Sequence, residues 1–328
     1  MGRGDVRRDE YRAPSGAQQA APQRGRGTTR GRLAARVAPG YLGRMDGDFA
    51  PGTLSDLLAA RTRAALRSGA LQPMGTQRTH LVERGIRFTI RVLDPQLHAT
   101  LAAIRRDPGF NPFLPYDPDL FVADISDTHV GLLNKFPVVD HHLLVVTRHF
   151  EAQESGLTAQ DFEALARCMA DVDGLAFYNS GLESGASQRH KHLQLVPLPF
   201  GPLDGPGPAV PIEAAFAPGA AHPPPRAPEL PFVHALARLA QADGRALDAA
   251  FRRLWQELDL APGQPHNLLL TRRWMLLVPR SAEAFEGMPV NAMGFAGSML
   301  VRHAEALERV RQVGPLQVLR QVGVPSPA

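Results

Sequence analysis

Residues 179–194 read NSGLESGASQRHKHLQ. A β-strand is predicted to begin at His190 and to continue two residues beyond this stretch, to Val196. Side chains on a strand alternate between its two faces, so His190, His192 and Gln194 are predicted to line one side. The other side is lined by Lys191, Leu193 and Leu195. Two imidazoles and one amide therefore converge on one surface.

The loop that precedes this strand is rich in glycine and serine. Its glycines permit a ligand to approach the backbone closely, and Ser187 and Gln188 are neutral hydrogen-bond donors. This composition is suited to holding phosphate oxygens.

Two site chemistries fit a His-x-His pattern. Alternate imidazoles on one strand can chelate a metal ion, with a third ligand from His129, His141 or His142. Alternatively, one imidazole attacks a phosphorus atom and forms a phosphohistidine-type intermediate. The sequence has no Asp or Glu ligand near the motif and has the Gly/Ser loop immediately before it. Both features favour the second chemistry.

The segments around this motif predict a sheet covered by helices. Thr158 with Asp161 resembles a helix N-cap followed by a first-turn acid, and apolar residues repeat at helical spacing from Phe162 to Val172. Short apolar runs predict strands, three of them in an antiparallel meander and a fourth before the loop. These runs are residues 120–123, 130–133 and 143–146 in the meander, and residues 175–178 before the loop.

The two ends of the chain carry further predicted elements. A helix is predicted to begin after Thr53 as its N-cap, and the alternation of Phe88, Ile90 and Val92 indicates a strand. Toward the C-terminus, the pattern predicts helices around residues 232–239, 246–258 and 298–310, and a hairpin of residues 267–270 with 274–278.

Composition excludes several classes of protein. The 328 residues are 44% hydrophobic and 21% charged, which excludes a fully disordered, collagenous or coiled-coil chain. No apolar run reaches the 18 residues that a membrane-spanning helix needs. The single cysteine, Cys168, cannot form an internal disulfide or a zinc ribbon, and a reducing cytoplasm is the expected location. The lysines, Lys135 and Lys191, follow Asn and His, so a Walker A loop is excluded.

The basic residues are concentrated in an N-terminal arm. Residues 1–44 contain ten Arg against three acidic residues, a net charge of +7, so the rest of the chain carries −3 of the total of +4. The arm is predicted to be disordered because it is too polar to offset the entropy of ordering. The arm can be interpreted in four ways: as an inert tail, as the product of an upstream start codon with Met45 as the natural beginning, as a transit peptide, or as an arm that binds nucleic acid weakly.

Four separated segments resemble one branch of the histidine triad superfamily, the ATP adenylyltransferase or diadenosine tetraphosphate phosphorylase family. They are residues 111–116, 132–147 and 179–194, and Asn267 together with residues 274–280. The resemblance implies an α+β fold: a histidine-triad-like antiparallel sheet with packed helices, plus a C-terminal extension. It predicts a catalytic domain over 45–199, a Pro-rich linker or wrapping segment over 200–231, and an adenylyltransferase C-terminal region over 232–328.

The resemblance also implies a two-step reaction. His192 would attack the α-phosphorus of diadenosine tetraphosphate, expel ATP and carry AMP, and inorganic phosphate would then take the AMP to give ADP. His190 would support the nucleophile or the leaving group, and Asn134 would contact the ribose hydroxyls. Asn179, Ser187 and Gln188 would hold phosphates. The remaining nucleotide- or phosphate-binding candidates are Lys135, Ser180, Gly181, Gly185 and Ala186.

Two positions depart from the wider pattern. Histidine triad hydrolases have a third histidine where this chain has Gln194. An amide can hydrogen-bond a phosphate oxygen but cannot accept a proton from water, so the AMP intermediate is expected to await phosphate. Family members also carry a lysine before the segment that matches Asn111-Pro112-Phe113. This chain has none there, and Arg91, Arg105 or Arg106 are the candidates to replace it.

The expected partners are ATP, ADP, diadenosine tetraphosphate and inorganic phosphate, with no membrane, and with nucleic acid only through residues 1–44. No metal-binding side chains and no organic cofactor are expected. Mg²⁺ is the candidate metal, bound through substrate phosphates and water. The alternatives are adenylyl transfer involving sulfate and adenosine phosphosulfate, and a nucleotide- or RNA-binding protein that uses the basic arm.

Overall fold

The computed structural model describes residues 49–93, 110–199, 207–216 and 227–326. The helices are α1 Leu54–Ser68, α2 Ala159–Asp171, α3 Gly244–Glu257, α4 Ala292–Ala296, α5 Ala304–Val313 and α6 Pro315–Val322. The strands are β1 Thr76–Glu83, β2 Ile86–Leu93, β3 Phe121–Asp124, β4 His129–Leu133, β5 Leu143–Thr147, β6 Gly174–Asn179, β7 His192–Pro197, β8 Ala235–Arg238, β9 His266–Leu270, β10 Trp274–Pro279, β11 Ala284–Phe285, β12 Met288–Pro289 and β13 Ser298–Val301. Short 3₁₀ helices span Pro118–Leu120, Leu182–Ser184 and Pro211–Ala215.

An antiparallel sheet of eight strands is the centre of the fold. Its order is β3-β4-β5-β7-β6-β9-β10-β8, and every neighbouring pair is antiparallel. The predicted meander of β3, β4 and β5 and the predicted hairpin of β9 and β10 are both present. Strands β8 to β10 belong to the predicted C-terminal region, and the pairing of β6 with β9 joins them to the same sheet.

Each face of the large sheet has a different cover. Along β6, Ala176 and Tyr178 point into a core that includes buried residues of α1, α2 and α3. Leu175 and Phe177 alternate with them and point into a second core beneath α4, α5, α6 and the small sheet β1-β2-β13. Full burial of a leucine or phenylalanine side chain contributes about 1.5–3 kcal/mol to the free energy of unfolding. The alternation of apolar side chains along β6 therefore determines which helices cover each face of the sheet. The second face also carries a small apolar patch over β4 and β5.

The two predicted helix starts differ in how they are capped. At α2 the capping box is present: the Thr158 side chain accepts a hydrogen bond from the Asp161 N–H, and the Asp161 carboxylate accepts one from the Thr158 N–H. At α1 the helix begins after Thr53, as predicted, but the Thr53 side chain makes no capping hydrogen bond. The Asp171 carboxylate accepts from the Leu54 and Gly52 N–H groups instead, so a distant residue supplies the cap.

The helix predicted over 232–239 is wrong, and so is the first part of the helix predicted over 298–310. Residues Ala235–Arg238 form strand β8 because they pair with the Trp274 to Leu277 edge of β10. Residues Ser298–Val301 form β13, which pairs in parallel with β2, and the helix begins only at Ala304. Sheet pairing with distant residues overrides the helical preference of both apolar runs. The helix predicted over 246–258 is present as α3.

Several predicted segments lie wholly or partly outside the described residues. The arm of residues 1–44 does so, as does most of the Pro-rich segment, of which 207–216 and 227–231 are described. In these two pieces, Val210, Ile212 and Leu230 are buried in the second core. Within the described ranges, no helix has the length and apolar character required to cross a membrane.

Candidate active site

The predicted His-x-His-x-Gln motif lies at the centre of the large sheet. Strand β7 begins at His192, two residues later than predicted, and His192 and Gln194 stand opposite Val146 and Leu144 of β5. His190 precedes the strand and forms an isolated bridge with Ala152. The three side chains share one face, as predicted, and an apolar patch lies on that face beside them. That patch consists of Phe113, Val130, Leu132, Leu144 and Val146.

The hydrogen bonds of His192 determine which of its nitrogens carries the proton. Its Nδ1 lies 2.8 Å from the carbonyl oxygen of His190, and a carbonyl can only accept, so Nδ1 is the protonated nitrogen. The lone pair on Nε2 is therefore available. Burial lowers the pKa of His192 to about 4, which keeps the imidazole neutral at physiological pH. A neutral ring with a free Nε2 lone pair is a nucleophile.

The His190 ring is held in the opposite tautomer. Its Nε2–H donates to the carbonyl oxygens of Thr147 and His149, at 2.8 Å and 3.1 Å. Its Nδ1 accepts from Asn111 Nδ2 at 3.1 Å. Both ring nitrogens are thus engaged by the protein, and His190 supports His192 through its backbone carbonyl.

Gln194 is oriented by a chain of hydrogen bonds that begins at Asn134. Asn134 Nδ2 donates to His142 Nδ1 at 3.1 Å, and His142 Nε2–H donates to Gln194 Oε1 at 3.0 Å. Burial lowers the pKa of His142 to about 4, so this ring is neutral and carries one proton. Because the Gln194 oxygen is occupied, its NH₂ group is the part left to donate to a ligand.

Asn134 and Lys135 occupy different environments. Asn134 immediately follows the end of β4, where strand alternation no longer restricts it, and is half-buried beside His142. Lys135 is exposed, with Nζ 5.8 Å from the centre of the Phe136 ring. Contact of either residue with a nucleotide stays a prediction.

The start of the Gly/Ser loop is tied to the C-terminal region. Asn179 Oδ1 accepts from Asn267 Nδ2 at 2.8 Å and from the Ala292 N–H at 2.9 Å. Asn267 Oδ1 in turn accepts from the buried guanidinium of Arg280 at 2.6 Å. Ser180 Oγ accepts from the His266 N–H at 2.7 Å. Asn179 and Ser180 therefore hold the loop in place. Contact of either residue with a phosphate stays a prediction.

The loop glycines are required for packing within the protein. Gly181 and Gly185 have φ angles of +95° and +83°. A Cβ at Gly181 would lie 2.6 Å from Glu154 Cγ, and one at Gly185 would lie 2.6 Å from the Val290 carbonyl oxygen. Of the remaining predicted loop residues, Ala186 is buried, Ser187 is exposed and Gln188 is half-buried.

Gln153 is a site residue that the sequence analysis missed. It is fully buried; its Nε2 donates to the carbonyl oxygens of Asn179 and His192, and its Oε1 accepts from the His192 N–H at 2.9 Å. One side chain thus joins the nucleophile strand to the loop. Gln153 lies in an irregular segment before α2, where no periodic pattern marks it.

Replacing Gln153 with leucine is expected to lower the free energy of unfolding by about 2–3 kcal/mol, because it leaves buried backbone groups of His192 and Asn179 without partners. Thermal unfolding of the variant measures this. Gln160→Leu, at an exposed position of α2, is the matched control and should change stability by less than about 0.5 kcal/mol. Equal stability of the two variants would contradict the assigned role.

Lys191 faces away from the two histidines, as predicted, and is buried. Its Nζ donates to Glu151 at 2.6 Å and to Asp161 at 3.4 Å. Asp161 also accepts from His129 Nε2 at 2.9 Å. The strand that carries the nucleophile is thereby anchored to α2 by a buried ion pair.

Of the three arginines predicted to replace the family's lysine, Arg91 lies within the described residues. Arg91, on β2, has its Nε and Nη1 buried with no hydrogen-bond partner, and burial and the nearby charge of Arg78 lower its pKa to about 10. Arg105 and Arg106 lie outside the described residues. No three His, Cys, Asp or Glu side chains cluster as a metal site in the part of the chain that the structure describes.

Comparisons with known proteins show which family the sequence matches. Residues 44–218 match the family model of the Ap4A (diadenosine tetraphosphate) phosphorylase N-terminal domain, and residues 228–325 match the ATP adenylyltransferase C-terminal domain. The chain is 31% identical over 277 residues to Diadenosine 5',5'''-P1,P4-tetraphosphate phosphorylase 2 of Saccharomyces cerevisiae, which covers 72% of this chain and 82% of that protein. It is 27% identical over 222 residues to Protein APA1 of the same organism, covering 60% and 68%.

Solved structures extend the similarity to three dimensions. The crystal structure of yeast Ap4A phosphorylase Apa2 in complex with Ap4A superposes with a TM-score of 0.72 at 26% identity, covering 85% of this chain and all of that one. The AMP complex of the same yeast protein gives a TM-score of 0.71 at 26% identity, with 85% and 99% coverage. With both family models matched in order and this agreement in fold, the chain belongs to the Ap4A phosphorylase family.

Proposed function

We propose that the protein is an Ap4A phosphorylase, an ATP adenylyltransferase that converts Ap4A and inorganic phosphate into ATP and ADP and catalyses the reverse reaction. Membership of the family supports this activity. The observation that carries the chemistry is the hydrogen bond from His192 Nδ1–H to the His190 carbonyl, since it leaves the Nε2 lone pair free to attack.

In the first step, His192 Nε2 forms a bond to the α-phosphorus of Ap4A, and the bond from that phosphorus to the bridging oxygen breaks. ATP leaves, and AMP remains on the imidazole. Transfer of this group depends more on positioned hydrogen-bond donors, which stabilise its negative charge, than on covalent assistance. The Gln194 NH₂ group has its geometry set by His142 and Asn134, so it is the donor best prepared for this role. Ser187, Gln188 and Arg91 are further candidates for contacts with the phosphates.

In the second step, an oxygen of inorganic phosphate bonds to the α-phosphorus and the bond to Nε2 breaks. ADP leaves, and His192 returns to its neutral form. Any Mg²⁺ would be bound by substrate phosphate oxygens and water, and would add positive charge there. The cytoplasmic location stays a prediction.

The direct test is to incubate the protein with Ap4A and phosphate and to separate the nucleotides. Equal amounts of ATP and ADP are expected. Intact-mass measurement with Ap4A alone should show one added AMP per chain, and addition of phosphate should remove it. Replacing phosphate with sulfate tests the other acceptor. Absence of ATP and ADP would overturn the activity, whereas their formation without any trapped AMP would argue against the covalent step.

Replacing Gln194 with histidine is expected to increase hydrolysis of the AMP intermediate by about tenfold or more, because the new imidazole can accept a proton from water. The measurement is the ratio of AMP to ADP released from Ap4A at limiting phosphate. In the matched control Gln194→Ala, phosphorolysis should slow without a rise in AMP, since alanine has no base. An unchanged ratio in Gln194→His would show that the amide does not limit hydrolysis.

The transfer of AMP onto the protein should be insensitive to pH over a wide range. His192 reacts as the neutral ring, and its pKa of about 4 keeps it neutral down to about pH 5, whereas an ordinary histidine is half protonated near pH 6.5. We expect the single-turnover rate without phosphate to stay level from about pH 8 to about pH 5 and to fall below that. A midpoint near pH 6.5 would contradict the burial argument.

A further inference from the structure

The face of the large sheet that carries His192 continues onto the next two strands as a row of amides. These strands lie in the order β7, β6, β9. Phe177 of β6 stands opposite Gln194 of β7. Two residues away from this pair, toward the same end, Asn179 and His192 lie on one face. Asn267 of β9 stands directly opposite Asn179, and both amide side chains are buried. Asn179 is therefore the neighbour of the nucleophile, and Asn267 is the next in the row.

Arg280 lies at the end of this row and holds a positive charge inside the protein. It directly follows β10 and is 1% exposed. Burial lowers the pKa of the guanidinium to about 10, although the Glu283 carboxylate opposes the shift, so the group is charged at physiological pH. The acceptors of its hydrogen bonds are neutral oxygens, namely Asn267 Oδ1 and the carbonyls of Ser184, Ala282, Glu283 and Val322. No carboxylate of the described residues accepts from it. A buried charge without an ion-pair partner costs free energy, which a bound anion nearby would reduce.

The hydrogen bonds fix the direction in which both amides point. A guanidinium can only donate, so the Asn267 atom that lies 2.6 Å from Arg280 Nη1 is the oxygen. Asn267 Nδ2 therefore faces Asn179 and donates to its Oδ1 at 2.8 Å. The same Oδ1 accepts from the Ala292 N–H at 2.9 Å. Asn179 Nδ2 is the donor that remains. It has no hydrogen-bond partner within the described ranges and is not sealed from solvent, so a ligand beside His192 can reach it.

We propose that Arg280 and Asn267 are positioning residues that turn the Asn179 amide toward the phosphate transferred by His192. Each group donates in the same direction, from Arg280 to Asn267, from Asn267 to Asn179, and from Asn179 to a phosphate oxygen. Aligned donors in a low-dielectric interior strengthen one another, so the buried positive charge acts on the phosphate through two amides. The inference rests on the proposed function, because that function places a phosphate beside His192.

Binding of AMP, compared with binding of adenosine, tests the role of Arg280. Arg280→Met keeps the length of the side chain and removes its charge. By calorimetry, this variant should bind AMP at least about tenfold more weakly than the unchanged protein, and adenosine within about twofold of it. Arg253→Met is the matched control, because Arg253 is exposed on α3, which covers the opposite face of the sheet. It should bind both ligands as the unchanged protein does.

The phosphorus resonance of bound AMP reports the charge directly. The second ionisation of a phosphate monoester occurs near pH 6. A positive charge that acts on the phosphate favours the dianion, so the midpoint of the bound AMP titration should be about half a pH unit or more higher in Arg280→Met than in the unchanged protein. Arg280→Lys keeps the charge with fewer donors. It should bind AMP more tightly than Arg280→Met and keep the midpoint near that of the unchanged protein.

Asn267→Asp keeps the test decisive if Arg280→Met does not fold. The new carboxylate still accepts from Arg280 and neutralises its charge, but it cannot donate to Asn179. We expect this variant to be at least as stable as the unchanged protein and to bind AMP at least about tenfold more weakly. AMP affinity equal to that of the unchanged protein in either folded variant would overturn the positioning role alone. No binding of AMP to the unchanged protein would overturn it together with the proposed function.

Discussion

Replacing His192 with alanine is expected to lower kcat for Ap4A phosphorolysis by about 10⁴-fold or more, the scale seen when a catalytic nucleophile is removed. Alanine offers no lone pair to the α-phosphorus, so neither the AMP adduct nor the second step can occur. Rates of ATP formation and intact-mass measurement with Ap4A check this. A variant that still phosphorolyses Ap4A at a substantial fraction of the original rate would refute the assignment of the nucleophile.

His142→Ala is the matched control for this experiment. His142 is also a buried, neutral imidazole with a pKa of about 4, but it acts on Gln194 and not on phosphorus. This variant should react more slowly and still accumulate the AMP adduct when phosphate is omitted. If neither variant forms the adduct, loss of a buried histidine in general would explain the result, and the specific role of His192 would lose its support.

Replacing Lys191 with methionine is expected to lower the free energy of unfolding by about 3–5 kcal/mol, because it leaves the Asp161 carboxylate buried without its cation. Methionine has a similar length, so packing changes little. Burial by itself raises the pKa of Asp161, but the hydrogen bond from His129 and the charge of Lys191 outweigh it and lower the pKa. Denaturant unfolding of the purified variant measures the loss.

The double variant Lys191→Met/Asp161→Asn separates the ion pair from simple loss of packing. With both charges removed, the uncompensated carboxylate is gone, and we expect part of the stability to return. In the original protein, the lowered pKa of Asp161 stabilises the fold above the pKa of an unfolded aspartate. That stabilisation should disappear as the pH falls through the lower folded pKa. A double variant less stable than Lys191→Met alone would contradict this account.

Local patterns were sufficient for much of the fold. The capping box at Thr158 and Asp161 depends on residues three apart, and the antiparallel meander depends on short runs with turns between them. The two C-terminal segments predicted as helices, at 232–239 and from residue 298, show where such patterns fail. Each pairs with a strand distant in sequence, and an apolar run does not itself indicate whether such a partner exists.

The same distinction between local patterns and tertiary structure applies to the candidate site. Strand alternation was sufficient to place His190, His192 and Gln194 on one face, because side-chain direction follows from backbone geometry alone. The protonated nitrogen of His192, its lowered pKa, and the attachment of its strand by Gln153 and Lys191 were decided only by the tertiary structure. Tautomers, burial and charge pairing depend on groups brought together from distant parts of the chain, and these distances are absent from a linear sequence.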